Sequence, residues 1–198
     1  MTARALDFYF DFMSPFAYLA FQKVPGLCRK YGLEFRPHVA NLPQLKLLAG
    51  NTGPANVSIP LKIRYLRNDL DRWAELYEVP LVFPKSLASE ALNKAFLFAA
   101  DHGKSEAFIK AAWARVWGEG ADPADAALLA ELARQFRWSP EALAAWVAST
   151  EAADRYEAGT QAAHAAGVFG MPTMIVGDEM WWGNDRLTFM EKTLQTGL

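Results

Sequence analysis

Cysteine is almost absent from this chain: Cys28 stands alone among 198 residues. No internal disulfide can form, and a Cys-x-x-Cys redox pair and a cysteine-rich metal site are excluded with it. Histidine is scarce too. His38, His102 and His164 are the whole set, and none lies in a hydrolase motif or at metal-ligand spacing, which sets aside Ser-His-Asp catalysis and zinc chemistry. No apolar run approaches the roughly 20 residues that span a bilayer. Neither charge sign dominates: 20 Lys and Arg face 22 Asp and Glu, for a net of -2. That balance offers no basic field for nucleic acid or an anionic membrane. No Gly-x-Gly-x-x-Gly phosphate loop follows any strand-like segment. The opening Met1-Thr2-Ala3-Arg4 leads straight into alternating aromatic and acidic residues, so no signal peptide is expected. A lone cysteine agrees with a reducing compartment, and a cytoplasmic setting is the expectation.

The chain is rich in apolar and aromatic side chains. Hydrophobic residues make up 52% of it, enough at this length for a sizeable core. Seven tryptophans are a high number for such a chain. Their indoles serve either interhelix packing or the walls of a cleft for a flat apolar ligand.

Residues 5–12 place Leu6, Phe8, Phe10 and Phe12 on one face, and Asp7, Tyr9 and Asp11 on the other. That period of two predicts a strand. Ser14 then stands where a helix N-cap belongs, and Pro15 fits the first helical turn. A helix is expected from about Pro15 to Tyr31, stopped at Gly32, with a kink or break at Pro25-Gly26. Leu33 to Ala40 reads as a second strand, completing a βαβ unit. From about Asn41 to Gly167 the pattern is helical almost throughout, with breakers near Gly50 to Pro60 and Val79 to Ser86. Leu66, Leu70, Trp73 and Tyr77 recur at helical spacing. Asp122-Pro123 and Ser139-Pro140 read as cap-plus-proline helix starts. Strands return after Gly167. Thr173 to Val176 and Glu179 to Trp182 flank a Gly177-Asp178 hairpin signal, and Asn184 or Asp185 is expected to cap a last helix reaching about Leu194. The order βαβ, helical block, ββα predicts an α/β protein with a thioredoxin fold and a large all-helical insertion. Residues 1–42 and 167–198 form the thioredoxin-like part, and 43–166 the insert.

Ser14 is the focal residue of this arrangement. By itself it reads as a helix N-cap. At the junction of a buried strand with a helix N-terminus, where a redox cysteine would stand in such a fold, it also suits a bound anion. Gly170-Met171-Pro172-Thr173 has the form of the loop that faces this junction and carries a cis-proline. A thiol brought in by a ligand would ionise more easily there. Serine itself, with no histidine base nearby in a motif, makes a poor nucleophile. Cys28, beyond Pro25-Gly26, reads as a small buried hydrophobe.

Phe10-Asp11-Phe12-Met13-Ser14-Pro15-Phe16-Ala17-Tyr18-Leu19-Ala20 resembles the signature of a DsbA-like, glutathione-using family. That family unites kappa-class glutathione transferases with 2-hydroxychromene-2-carboxylate isomerases. The segments Lys46 to Ala55, Tyr65 to Ala74, Pro80 to Pro84, Val116 to Gly120 and Val168 to Leu187 resemble the isomerases, and the paired Trp181-Trp182 sets the last of these apart from the transferases. The resemblance implies glutathione as cofactor, a small aromatic carboxylate as substrate and a homodimer. It implies conversion of 2-hydroxychromene-2-carboxylate to trans-o-hydroxybenzylidenepyruvate, as in naphthalene breakdown, by reversible thiolate addition, bond rotation and elimination. Ser14 would hold the glutathione sulfur, and Met171 with cis-Pro172 its cysteinyl backbone. Asn184 and Asp185 would hold its γ-glutamyl end. Asn51 would lie beside both sulfur and substrate. Lys46 and Lys62 would offer charge to a substrate or glutathione carboxylate. Phe16, Trp73, Phe83 and Trp182 would wall a flat substrate. The alternative within the same family is a transferase that conjugates electrophiles.

Overall fold

The computed structural model describes residues 4–197. Met1-Thr2-Ala3 and Leu198 of the expected thioredoxin-like part therefore lie outside the described residues. Alternation buries Leu6, Phe8 and Phe10 completely, and these three make strand β1 (Ala5–Phe10) the heart of a sheet. β2 (Glu34–Val39) runs parallel beside it, and β3 (Thr173–Val176) antiparallel on its other side. β4 (Glu179–Trp182) closes the order β2-β1-β3-β4. Phe8 stands opposite Pro37 on one neighbour and Met174 on the other. Pro37 is tolerated because β2 is an edge strand.

The crossover between β1 and β2 is two helices rather than the single kinked one expected, α1 (Pro15–Phe21) and α2 (Val24–Tyr31). The chain breaks at Gln22-Lys23, where backbone N–H groups tighten onto Leu19 and Ala20. Pro25 does not kink a helix; it occupies the first turn of α2, where its missing N–H costs nothing. Gly32 ends α2 at φ 64, as its position after the last periodic residue predicts.

The insertion follows β2. It comprises α3 (Leu42–Leu48), α4 (Pro60–Tyr77), α5 (Glu90–Asp101), α6 (Ser105–Trp113), α7 (Ala126–Gln135), α8 (Pro140–Val147) and α9 (Thr150–Ala165). α6 runs on through a π-helical turn at Ala114–Gly118. Ser139 caps α8 through the Ala142 N–H as read from the sequence. The Asp122-Pro123 start is corrected: α7 begins at Ala126 under Asp125, while Asp122 turns to Ser86 and the Ala124 N–H. The helices share their core with the sheet. Trp113 packs edge-on against Phe10 and Phe12, with ring centroids 5.2 and 5.3 Å apart.

The last helix, α10 (Leu187–Gln195), also departs from expectation. A 3-10 turn at Asn184–Arg186 precedes it, and neither Asn184 nor Asp185 caps it. Asp185 pairs with the Arg186 guanidinium at 2.6 Å instead, and the Asn184 side chain turns inward.

Candidate active site

β1 ends at Phe10, two residues short of the predicted strand, because the next residue turns its side chain into the core. Asp11 is 1% exposed. Its carboxylate accepts from the Ser89 hydroxyl at 2.5 Å, Asn93 Nδ2 at 2.8 Å, and the Met13 and Leu42 N–H groups at 3.0 Å. Burial raises its pKa, and these hydrogen bonds oppose the rise. Asn93 extends the network to the Tyr156 hydroxyl at 2.7 Å and accepts the Phe12 N–H at 3.2 Å. One buried carboxylate thus ties the end of β1 to the start of α3 and to α5.

The turn it fixes presents Ser14. This residue is 4% exposed and caps α1, its Oγ accepting from the Ala17 N–H at 3.2 Å. Its hydroxyl lies 3.5 Å from the Met171 carbonyl, long for such a bond, so its proton is weakly engaged. Pro172 follows a cis peptide bond, as the sequence predicts. Met171 and Pro172 are buried beside the Ser14 turn, at the head of β3.

Ser14 opens onto a cavity of about 580 Å³ between the sheet's loop end and the helical insertion. Phe16, Phe83, Trp182, Gly170 and Met171 line it with Ser14, and Ile63, Leu66 and Leu70 of α4 form one wall. Two clamps hold the segment that carries Phe83. The Tyr18 hydroxyl donates to the Pro80 carbonyl at 2.8 Å, and the Val82 N–H donates to the Trp117 carbonyl at 2.7 Å. Trp117 lies in the π-turn and Trp113 just before it, and both indoles donate to the Phe12 carbonyl, at 2.9 and 3.3 Å. Such turns recur at functional sites. Gly120, at φ 78, completes the clamp. A Cβ there would come within 2.6 Å of Val82.

The cavity's charge is one-sided. Lys46, Arg67 and Lys85 line it, and no carboxylate or histidine does among the described residues. In a chain of net -2, that concentration of cations suits an anionic ligand. Among the described residues no group of three His, Cys, Asp or Glu could hold a metal, and no described helix is long and apolar enough to cross a membrane.

The predicted site residues divide accordingly. Ser14, Met171, Phe16, Lys46, Phe83 and Trp182 meet at the cavity. Asn51 and Lys62 do not line it; both are exposed, and Lys62 donates to Asn56 at 3.3 Å. Trp73 turns away to pack edge-on against Tyr77 at 5.4 Å. Asp185 is exposed outside the lining. Asn184 is 2% exposed, and its amide has no hydrogen-bond partner. Burial raises the Tyr77 pKa. Asp11, Arg67 and Lys85 belong to the site without having been expected there from the sequence. Arg67 had a usable signal, four residues after Ile63 and three before Leu70 on the cavity side of α4.

The DSBA-like thioredoxin domain family matches residues 5–195. A 2-hydroxychromene-2-carboxylate isomerase from Sphingobium xenophagum is 44% identical, over 96% of this chain and 98% of its own. The chain belongs to the DsbA-like thioredoxin family, among the 2-hydroxychromene-2-carboxylate isomerases. A solved structure of a 2-hydroxychromene-2-carboxylate isomerase superimposes with a TM-score of 0.93 at 41% identity, covering 97% of this chain and 95% of that one. Glutathione S-transferase kappa 1 of Homo sapiens is a more distant relative, 27% identical over 96% of this chain and 91% of its own.

Proposed function

We propose that this member of the isomerase family converts 2-hydroxychromene-2-carboxylate, or a close aromatic analogue, to the trans-benzylidenepyruvate, with glutathione as a recycled cofactor. The carrying observation is the Ser14 hydroxyl, buried and weakly engaged, at the floor of an aromatic-walled cavity lined by cations and no carboxylate. Those features fit glutathione, a thiol-bearing anion, and the orphaned Asn184 amide fits a polar head group near the start of α10. When bound, glutathione would supply a thiolate that adds reversibly to the conjugated carbon, so that the double bond can rotate before it reforms.

The chain's own residues supply the rest. Ser14 Oγ–H, only weakly engaged by the Met171 carbonyl, would be the donor to the sulfur and would favour its anion. The Met171 backbone would orient the cysteinyl part, with Asn184 and Asp185 as the candidates for the γ-glutamyl end. Phe16, Phe83 and Trp182 hold the flat ring and exclude water, while Lys46 offers a positive charge. A homodimer in the cytoplasm belongs to the same reading. Leu61, Tyr65 and Leu76, exposed along one face of α4, support the dimer, and a sedimentation mass of one chain would remove it. A conjugating transferase is the competing activity, and the extended isomerase resemblance favours isomerisation.

The test is Ser14→Ala with product analysis. The variant should fold, because only one cap hydrogen bond and one long contact are lost, a cost of about 1 kcal/mol. It should lose most glutathione-dependent turnover. Undiminished turnover in the variant, or undiminished turnover in extensively dialysed wild type, would sink the thiolate reading. A stable thioether product in place of an isomer would establish the transferase.

A further inference from the structure

The cations of the cavity are not equivalent. Lys85 faces Asp122, whose pKa it helps to lower behind the larger effects of Ser86 and the Ala124 N–H. Lys46 sits in the last turn of α3, where the helix's carbonyl end favours a cation without any ligand. The Arg67 side chain makes no hydrogen bond or ion pair among the described residues. Its guanidinium carbon lies 4.8 Å from the centroid of the Phe83 ring. Phe83 is itself fixed, edge-on against buried Trp117 at 5.6 Å, on the segment that the Tyr18 and Trp117 bonds clamp. The guanidinium therefore has its position set by a rigid aromatic, while all its donors remain unspent.

A planar fork of that kind matches a carboxylate, or a carboxylate with an adjacent carbonyl oxygen, through two parallel hydrogen bonds. Set over an aromatic face at the edge of a mostly apolar cavity, the exposed guanidinium is positioned before any ligand arrives, and a guanidinium gives up its water more readily than an ammonium does. We infer that Arg67 is a specificity-determining residue: it grips the carboxylate of the aromatic substrate and so selects arylidene 2-oxo acids and their cyclic forms over neutral enones of the same shape. This rests on the proposed isomerase reading, but the recognition it describes is a binding property that can be measured without turnover.

The probe is trans-cinnamate, an aromatic carboxylate that cannot isomerise to a more stable alkene, compared with neutral trans-cinnamamide. Binding is followed by quenching of tryptophan fluorescence in the intact protein. Arg67→Ala should weaken cinnamate roughly 10- to 100-fold, the range for a charge-assisted pair, and leave cinnamamide within about twofold. Arg67→Lys, which keeps the charge and loses the fork, should recover only part of the loss. Lys85→Ala should bind cinnamate within about twofold of wild type. With 2-hydroxychromene-2-carboxylate, Arg67→Ala should raise KM more than it lowers kcat. Equal weakening of both probes, full cinnamate affinity in Arg67→Ala, or a loss confined to Lys46→Ala would overturn the assignment. If wild type bound cinnamate through Arg67 yet isomerised nothing, the isomerase reading would fail and the carboxylate site would stand.

Discussion

Asp11→Asn tests whether a buried carboxylate holds the Ser14 turn in place, and the structure sets both the size and the pH dependence of the effect. Asparagine keeps Oδ1, which serves Ser89, Asn93 and Met13, but puts an amide NH₂ against the Leu42 N–H that Oδ2 accepts at 3.0 Å. One charge-assisted hydrogen bond disappears and one buried donor is orphaned, a loss of about 2–4 kcal/mol. Relief from burying a charge works the other way. Burial is the larger influence on Asp11 and raises its pKa against the four hydrogen bonds, so the folded protein holds the proton to higher pH than the unfolded chain. Wild-type stability from this group is then fully present below the unfolded carboxyl value of about 4, and falls as pH rises to the raised native value. Asparagine cannot titrate. The stability gap between the two proteins should be widest near pH 4 and narrow toward neutrality. The hydrogen-bond loss taken alone would lower Tm by roughly 4–16 °C, and relief from burying the charge makes the drop smaller toward neutrality. Urea unfolding followed by tryptophan fluorescence from pH 4 to 8 reads this directly, and because both proteins share every other titrating group, their difference isolates Asp11. A gap that widens with pH would refute the reasoning, since it would mean that the hydrogen bonds outweigh burial and hold the carboxylate ionised. Met13 and Leu42 both line the cavity, so the variant should also bind aromatic carboxylates more weakly.

Two further outcomes bear on the site and its surroundings. A Cβ on Gly170 would lie 2.5 Å from Trp182 Nε1 and 3.0 Å from Cε2, so Gly170→Ala should displace that indole, change the tryptophan emission and weaken cinnamate binding; unchanged emission and affinity would show that Trp182 is not seated on Gly170. Cys28 is 1% exposed, and burial above all pushes its thiol up to about 12. It should resist an aromatic disulfide reagent at pH 8 until the protein is unfolded, and rapid labelling of the native protein would contradict a sealed α2.

The legible and hidden parts of this site separate by how locally each is encoded. Ser14 was visible because a strand, a cap residue and a proline fall in one short stretch, and the structure keeps all three roles. Met171-Pro172 was visible for the same reason. Asp11 was hidden by the very pattern that revealed β1. Period two assigned it to the outer face with Asp7 and Tyr9, yet the strand ends at Phe10, so the alternation does not extend to it, and its partners Leu42, Ser89 and Asn93 lie 31 to 82 residues away. Trp73 failed in the opposite direction. It shares a helical face with Leu66 and Leu70, but the cavity ends near Leu70, and one turn further along that face belongs to Tyr77. Periodicity reports which side of a helix is buried and carries no information on where along its length a core gives way to a cavity. Arg67 shows the corollary. A cation amid apolar helical positions reads as a solvated edge until tertiary structure sets an aromatic beside it, and here the aromatic comes from a segment held by a π-turn some fifty residues further along the chain. Charge selection at this site therefore depends on the distant clamp as much as on the arginine.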